Sequence, residues 1–149
     1  MKHRTAIVAT FVLSASFALA RVGETQKEIA ARYGDGKKAD TQRLGGAVTY
    51  AYKKEDFYVE VVILKGRSVL ELYAHTKGMT DDIIKELLTI NSTGLTPWHF
   101  ARKTGRWERQ GTTKLVAYRW PNHPDFFCIK DLDACEAAEK QNKPSAVGL

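Results

Sequence analysis

The chain has 149 residues, 44% of them hydrophobic and 27% charged, with a formal net charge of +6. That balance excludes a disordered or low-complexity chain, and two cysteines are too few for a disulfide-dense scaffold. A chain of this size buries roughly two-thirds of its unfolded surface, enough to hold a core without a metal or several crosslinks.

Lys2, His3 and Arg4 open the chain, residues 6–17 are almost wholly apolar, and Ala18-Leu19-Ala20 closes the stretch with small side chains at its outer positions. This is the order of a cleavable secretory signal peptide, so residues 1–20 are expected to be removed and the working chain to begin at Arg21. The apolar run falls short of the roughly 20 residues a permanent bilayer-spanning helix needs, and no transmembrane segment is expected in the mature chain. The remaining 129 residues carry 21 basic and 17 acidic side chains, a net charge of +4. They read as one domain over 21–141, with a flexible tail at 142–149.

Thr25 followed by Glu28 is a capping box, and Gly34 supplies a stop, so a helix is expected over 26–33 with Ile29, Ala30 and Tyr33 on its inner face. Residues 35–43 form a polar connection. From 47 to 74 the period becomes two: Val48, Tyr50 and Tyr52 alternate, then Phe57, Val59, Val61 and Ile63, and Lys65-Gly66-Arg67 turns the chain into a third strand. At an offset of 55 residues the pattern starts again, with Gly78, Thr80 and Ile84 matching Gly23, Thr25 and Ile29. Thr80 is expected to cap a second helix running to about Ile90, with Asp81 and Asp82 in its first turn and Ile83, Ile84, Leu87 and Leu88 buried. Strands over 105–110, 114–120 and 126–130 follow, and Asp133 and Glu136 frame a last short helix. The expected fold is α+β: two tandem units, each a helix plus a three-stranded antiparallel sheet, at about 21–77 and 78–141, packed as one two-layer domain.

Cys128 and Cys135 lie close enough in sequence to close a small loop in an oxidising compartment, and a disulfide between them is one reading. Two buried thiols is the other.

A Gly-x-Thr opening onto a short helix, closed by glycine and followed by a meander of strands, resembles the unit of the β-lactamase inhibitor protein fold and of the small SmpA/OmlA-type outer-membrane assembly lipoproteins. Gly23, Thr25, Ile29 and Gly34 carry the resemblance in the first unit, and Gly78, Thr80 and Ile84 in the second. It implies a non-catalytic module that presents the outer face of a sheet to another macromolecule. The lipid-bearing cysteine of the lipoproteins is missing, and the chain is shorter than the inhibitors. Neither membrane anchoring nor β-lactamase inhibition follows, and no site residue is carried over.

His75, His99 and His123 are spaced evenly but without the helical or short-range clustering of a zinc site, so no metal and no cofactor is expected. There is no nucleophile elbow, phosphate loop or dinucleotide fingerprint. The carboxylate pairs Asp81-Asp82 and Asp131-Asp133 sit where helices begin, and Cys128 lies in the apolar run Phe126-Phe127-Cys128-Ile129. No catalytic residue is identified.

The stretch from Trp98 to Trp120 holds six basic residues against Glu108 and contains all three tryptophans. Arginine beside tryptophan is the composition of binding hot spots, which makes Trp98, Arg102, Lys103, Arg106, Trp107 and Arg109 the candidate binding residues. The same pattern also fits tryptophans in a core and arginines on a solvated face. The function expected is a secreted, periplasmic, non-catalytic module binding a protein or an anionic envelope polymer. The export signal argues against nucleic acid as the partner. The alternatives are a small secreted hydrolase working around His99, His123 and Cys128, or a structural envelope protein.

Overall fold

The structure is a computed structural model that describes residues 21–92 and 96–142. The expected signal peptide and nearly all of the expected tail lie outside the described residues. In chain order the elements are α1 (Gln26–Tyr33), β1 (Lys37–Lys38), β2 (Val48–Lys54), β3 (Phe57–Leu64), β4 (Arg67–His75), α2 (Asp81–Ile90), β5 (His99–Ala101), β6 (Arg106–Arg109), β7 (Leu115–Trp120), β8 (His123–Asp131) and α3 (Leu132–Asn142).

Local chemistry sets the ends of these elements. Thr25 Oγ1 accepts from the Glu28 N–H at 3.4 Å and Glu28 Oε2 accepts from the Thr25 N–H at 2.8 Å, so the capping box at α1 is closed from both sides. Thr80 Oγ1 accepts from the Ile83 N–H at 3.3 Å and starts α2. Between β3 and β4, Lys65 and Gly66 both hold positive φ, 51° and 81°, the geometry of a two-residue hairpin turn that matches strand twist. Caps contribute about 1 kcal/mol each, whereas fully burying a leucine or isoleucine contributes about 1.5–3 kcal/mol. Ile84, Leu87 and Leu88 of α2 are all buried, so packing rather than capping holds that helix in place.

All eight strands form one antiparallel sheet in the order β1-β2-β3-β4-β8-β7-β6-β5. This overturns the expectation of two tandem three-stranded units: four strands follow α1, four follow α2, and β4 pairs with β8 from Leu70↔Lys130 to Ala74↔Phe126, so no gap separates two sheets. The two-layer packing is also corrected, because helices lie on both faces. Ile29 and Tyr33 of α1 and Ile84, Leu87 and Leu88 of α2 pack on the first face against Val59, Val61, Tyr73, Phe127 and Ile129. Cys135 and Ala138 of α3, with Leu44 from the loop before β2, pack on the second face against Val62, Leu70, Leu72 and Cys128. The strands missed in the sequence, β1 and β5, are two and three residues long and form the sheet's edges.

Under α1 and α2 the first face buries a polar junction. Gly23 N–H donates to the Ser68 carbonyl at 2.9 Å and Ser68 N–H to the Glu24 carbonyl at 2.7 Å, pinning the segment before α1 onto the start of β4. Next to this junction Glu71 is fully buried, and its Oε2 accepts from the Tyr73 hydroxyl. Burial pushes the Glu71 carboxyl up to about 8. The Tyr73 and Ser68 hydroxyls and the Arg32 charge pull the other way, and the nearby Glu24 carboxylate adds to the rise. In the unfolded chain the same carboxyl ionises near 4.5. Between these values the native state holds a proton that the unfolded state has lost, so stability falls as pH rises through that window and levels off above it. Glu71→Gln keeps the shape and removes the titration. Urea unfolding at about pH 5 and about pH 9 should show a smaller loss of stability for the variant than for the wild type, whereas equal losses would mean that Glu71 is not the titrating group.

Candidate functional site

The six residues that sequence composition groups together are divided by the fold. β6 alternates, so Trp107 and Arg109 point to the first face while Arg106 and Glu108 point to the second. Trp107 packs edge-on against Phe127, with ring centroids 5.6 Å apart, and belongs to the rim of the core. Trp98 Nε1–H donates to the Leu88 carbonyl at 2.8 Å, and Arg109 donates to the Asn91 carbonyl, so both serve the last turn of α2, whose carbonyls have no partner within the helix. On the other face Arg106 pairs with Glu108 at 2.8 Å, and Lys114 lies 3.9 Å from the same carboxylate. Those contacts hold Glu108 below the usual carboxylate range, the Arg106 hydrogen bond contributing most. Arg102 and Lys103 stand exposed in the turn between β5 and β6.

The residues considered for catalysis are also kept apart. Cys128 is buried on β8, and desolvation pushes its thiol up to about 12, against the pull of the Tyr118 hydroxyl and Lys130. His99 lies on β5, three strands away from β8, which is about 14 Å at ordinary strand spacing. His123 sits on β8 itself but five residues earlier, about 17 Å along an extended strand. Among the described residues no three His, Cys, Asp or Glu side chains cluster as metal ligands would.

Of the two readings of Cys128 and Cys135, the structure has the second: both are free thiols. Each is buried in the core of the second face, where Cys135 Sγ–H donates to the Val69 carbonyl at 3.6 Å and desolvation pushes its thiol up to about 11.

The second face is open beyond α3, where Tyr58 and Phe126 stand exposed. Strand register puts Lys53, Tyr58, Ala74 and Phe126 in one row across β2, β3, β4 and β8, with no acidic side chain among them. Tyr58 is 47% exposed and Phe126 is 37% exposed. Leu72 and Phe126 separate two shallow hollows. One, of about 140 Å³, is lined by Ala51, Tyr58, Glu60 and Ala74, and the other, of about 230 Å³, by Arg43, Trp120 and His123. Cations stand over the rings: Lys53 Nζ is 5.1 Å from the Tyr58 centroid, Arg43 is 5.8 Å from that of Trp120, and Lys130 Nζ is 5.8 Å from that of Tyr118. All three share this face. Arg43 also pairs with Glu60 at 2.5 Å. Tyr118 stacks on Trp120 at 6.2 Å, and His123 meets Phe126 edge-on at 6.1 Å. An open sheet face is ordinarily polar at alternate positions. Tyr58 and Phe126 occupy off-core positions of their strands, and large apolar residues at those positions were the signal in the sequence that alternation alone passed over.

No protein-family model matches the chain, and no curated protein matches its sequence. Among solved structures, a cysteine-rich secretory protein from Staphylococcus aureus aligns over 76% of this chain and 44% of its own, at 12% identity and a TM-score of 0.42. This chain therefore spans less than half the length of that protein.

Two outcomes test the assignments of individual residues. Trp98→Phe keeps the ring and removes the donor to Leu88, and should cost about 1 kcal/mol in chemical denaturation, while Arg102→Ala and Lys103→Ala stay within about 0.5 kcal/mol of the wild type. Titration with a thiol reagent at about pH 8 should find Cys128 and Cys135 silent in the native protein and both reactive after unfolding without reductant; two silent thiols after unfolding would restore the disulfide.

Proposed function

We propose that the protein is an exported, non-catalytic binding module that seats an acidic protein segment on the open second face of its sheet. The carrying observation is the row of Tyr58, Ala74 and Phe126, continued by Trp120 and bordered by Lys53, Arg43 and Lys130. A contiguous apolar patch with a charged border is the usual form of an interaction surface, and aromatic anchors beside arginine are enriched at the centres of interfaces. Side chains of the partner would cover Tyr58 and Phe126 and fill the two hollows on either side of Leu72. Its carboxylates would meet Lys53, Lys130 and the outer edge of Arg43. The order of residues 2–20 supports export, and the resemblance of the Gly-x-Thr helix units to sheet-presenting modules supports the same use of the face.

A random-peptide display library selected on the purified protein tests the reading. Sequences combining Asp or Glu with large apolar residues should be enriched, and their binding should weaken with salt. The Tyr58→Ser/Phe126→Ser double variant should lose roughly thirtyfold or more in affinity, the scale of hot-spot truncation. Enriched peptides that bind the double variant as tightly as the wild type would overturn the proposal. So would preference for a soluble polyanion such as polyphosphate over every peptide.

A further inference from the structure

The third exposed large apolar residue, Phe100, lies away from the open face. It is 50% exposed on the edge strand β5, and its ring stands edge-on to Trp107 with centroids 4.9 Å apart. Ala101 pairs with Arg106, and the turn between them is tight: the N–H groups of Thr104 and Gly105 both donate to the Ala101 carbonyl, at 3.1 and 2.9 Å. All four turn residues, Arg102 to Gly105, are exposed. The hairpin therefore presents one aromatic ring and two unshielded cations within four residues of chain. Its base is fixed, because Trp107 is anchored on Phe127. Glu108, the acid of this hairpin, is held by Arg106 and Lys114 on the opposite face.

We propose that the tip of the β5–β6 hairpin is a contact point for an anionic lipid surface, with Phe100 entering the headgroup boundary while Arg102 and Lys103 bind lipid phosphates. Phenylalanine beside basic residues is buried at the headgroup boundary by membrane-surface segments, and each basic residue near an anionic leaflet adds attraction of similar size to the last. A projecting turn suits a fluid layer of headgroups, which adapts to it. A protein hot spot instead needs a pocket to fill, as on the open face. The site is independent of the protein-binding reading above, since it shares no residue with it.

Protein from Arg21 onward, the form that the proposed export would leave, is the molecule to test, by flotation with vesicles of phosphatidylcholine alone and of phosphatidylcholine mixed with phosphatidylglycerol. Binding is expected to the mixed vesicles and not to phosphatidylcholine, and to fall with salt. Arg102→Glu/Lys103→Glu should reduce the partition coefficient by roughly tenfold or more, and Phe100→Ser severalfold. In a Phe100→Trp variant, brominated lipid should quench the new fluorescence. Tyr58→Ser/Phe126→Ser should leave vesicle binding unchanged. The proposal is overturned if the charge-reversed protein binds mixed vesicles as well as the wild type, if the wild type binds neither vesicle, or if inorganic phosphate at equal concentration competes as well as lipid does.

Discussion

The pairing of β4 with β8 is the constraint on which the rest of the structure depends. Each strand ends a meander begun after a different helix, and their five paired positions turn two four-stranded runs into one sheet. The pairing also places both strands at the centre, with neighbours on each side, so their faces must be covered both above and below. β4 answers this with six consecutive buried residues from Ser68 to Tyr73, and β8 with Phe127, Cys128 and Ile129, all fully buried. Such runs are what a strand buried on both faces requires.

Covering two faces with three short helices leaves an imbalance. α1 and α2 together pack on the first face and close a core beside the Glu71–Tyr73 pair, at the cost of holding a carboxyl in a place where burial disfavours its charged form. α3 and Leu44 cover the second face over Val62, Leu70, Leu72 and Cys128. The strip from Tyr58 to Trp120 is what remains. It is less polar than the exposed half of an antiparallel sheet would ordinarily be, with Tyr58 and Phe126 beside Lys53 in one row and its lysines and arginine lying over rings. The proposed use of the face rests on that departure more than on the fold as such.

What the sequence discloses is local. Thr25 with Glu28, and Thr80, satisfy nearby backbone groups, and Lys65-Gly66 takes the positive φ of a tight turn, so the helix starts and the β3–β4 hairpin were readable in chain order. The β4–β8 pairing joins residues about sixty apart and carries no local signature, which is why a division into separate three-stranded units looked reasonable. β1 and β5 were invisible for another reason: strands of two or three residues show no period. The tryptophans illustrate the same limit from the side of function. Trp98 and Trp107 turned inward to serve α2 and Phe127, while Trp120 turned to the open face, and nothing in their spacing distinguishes these fates.

The basic stretch was a real feature of composition but not one surface. Alternation along β6 sends Arg106 and Arg109 to opposite faces, where each has a structural partner, and leaves only Arg102 and Lys103 free of such duties at the turn. Net charge in a segment thus overstates the charge available for binding, because part of it is committed to carbonyls and carboxylates of the fold. The hairpin and the open face are separated by the sides of the sheet: Phe100 pairs with Trp107 on the first face, whereas Tyr58, Phe126 and Trp120 stand on the second, and the two sites share no residue. One rigid sheet can therefore carry an aromatic face for one partner and a basic tip for another without either use constraining the residues of the other.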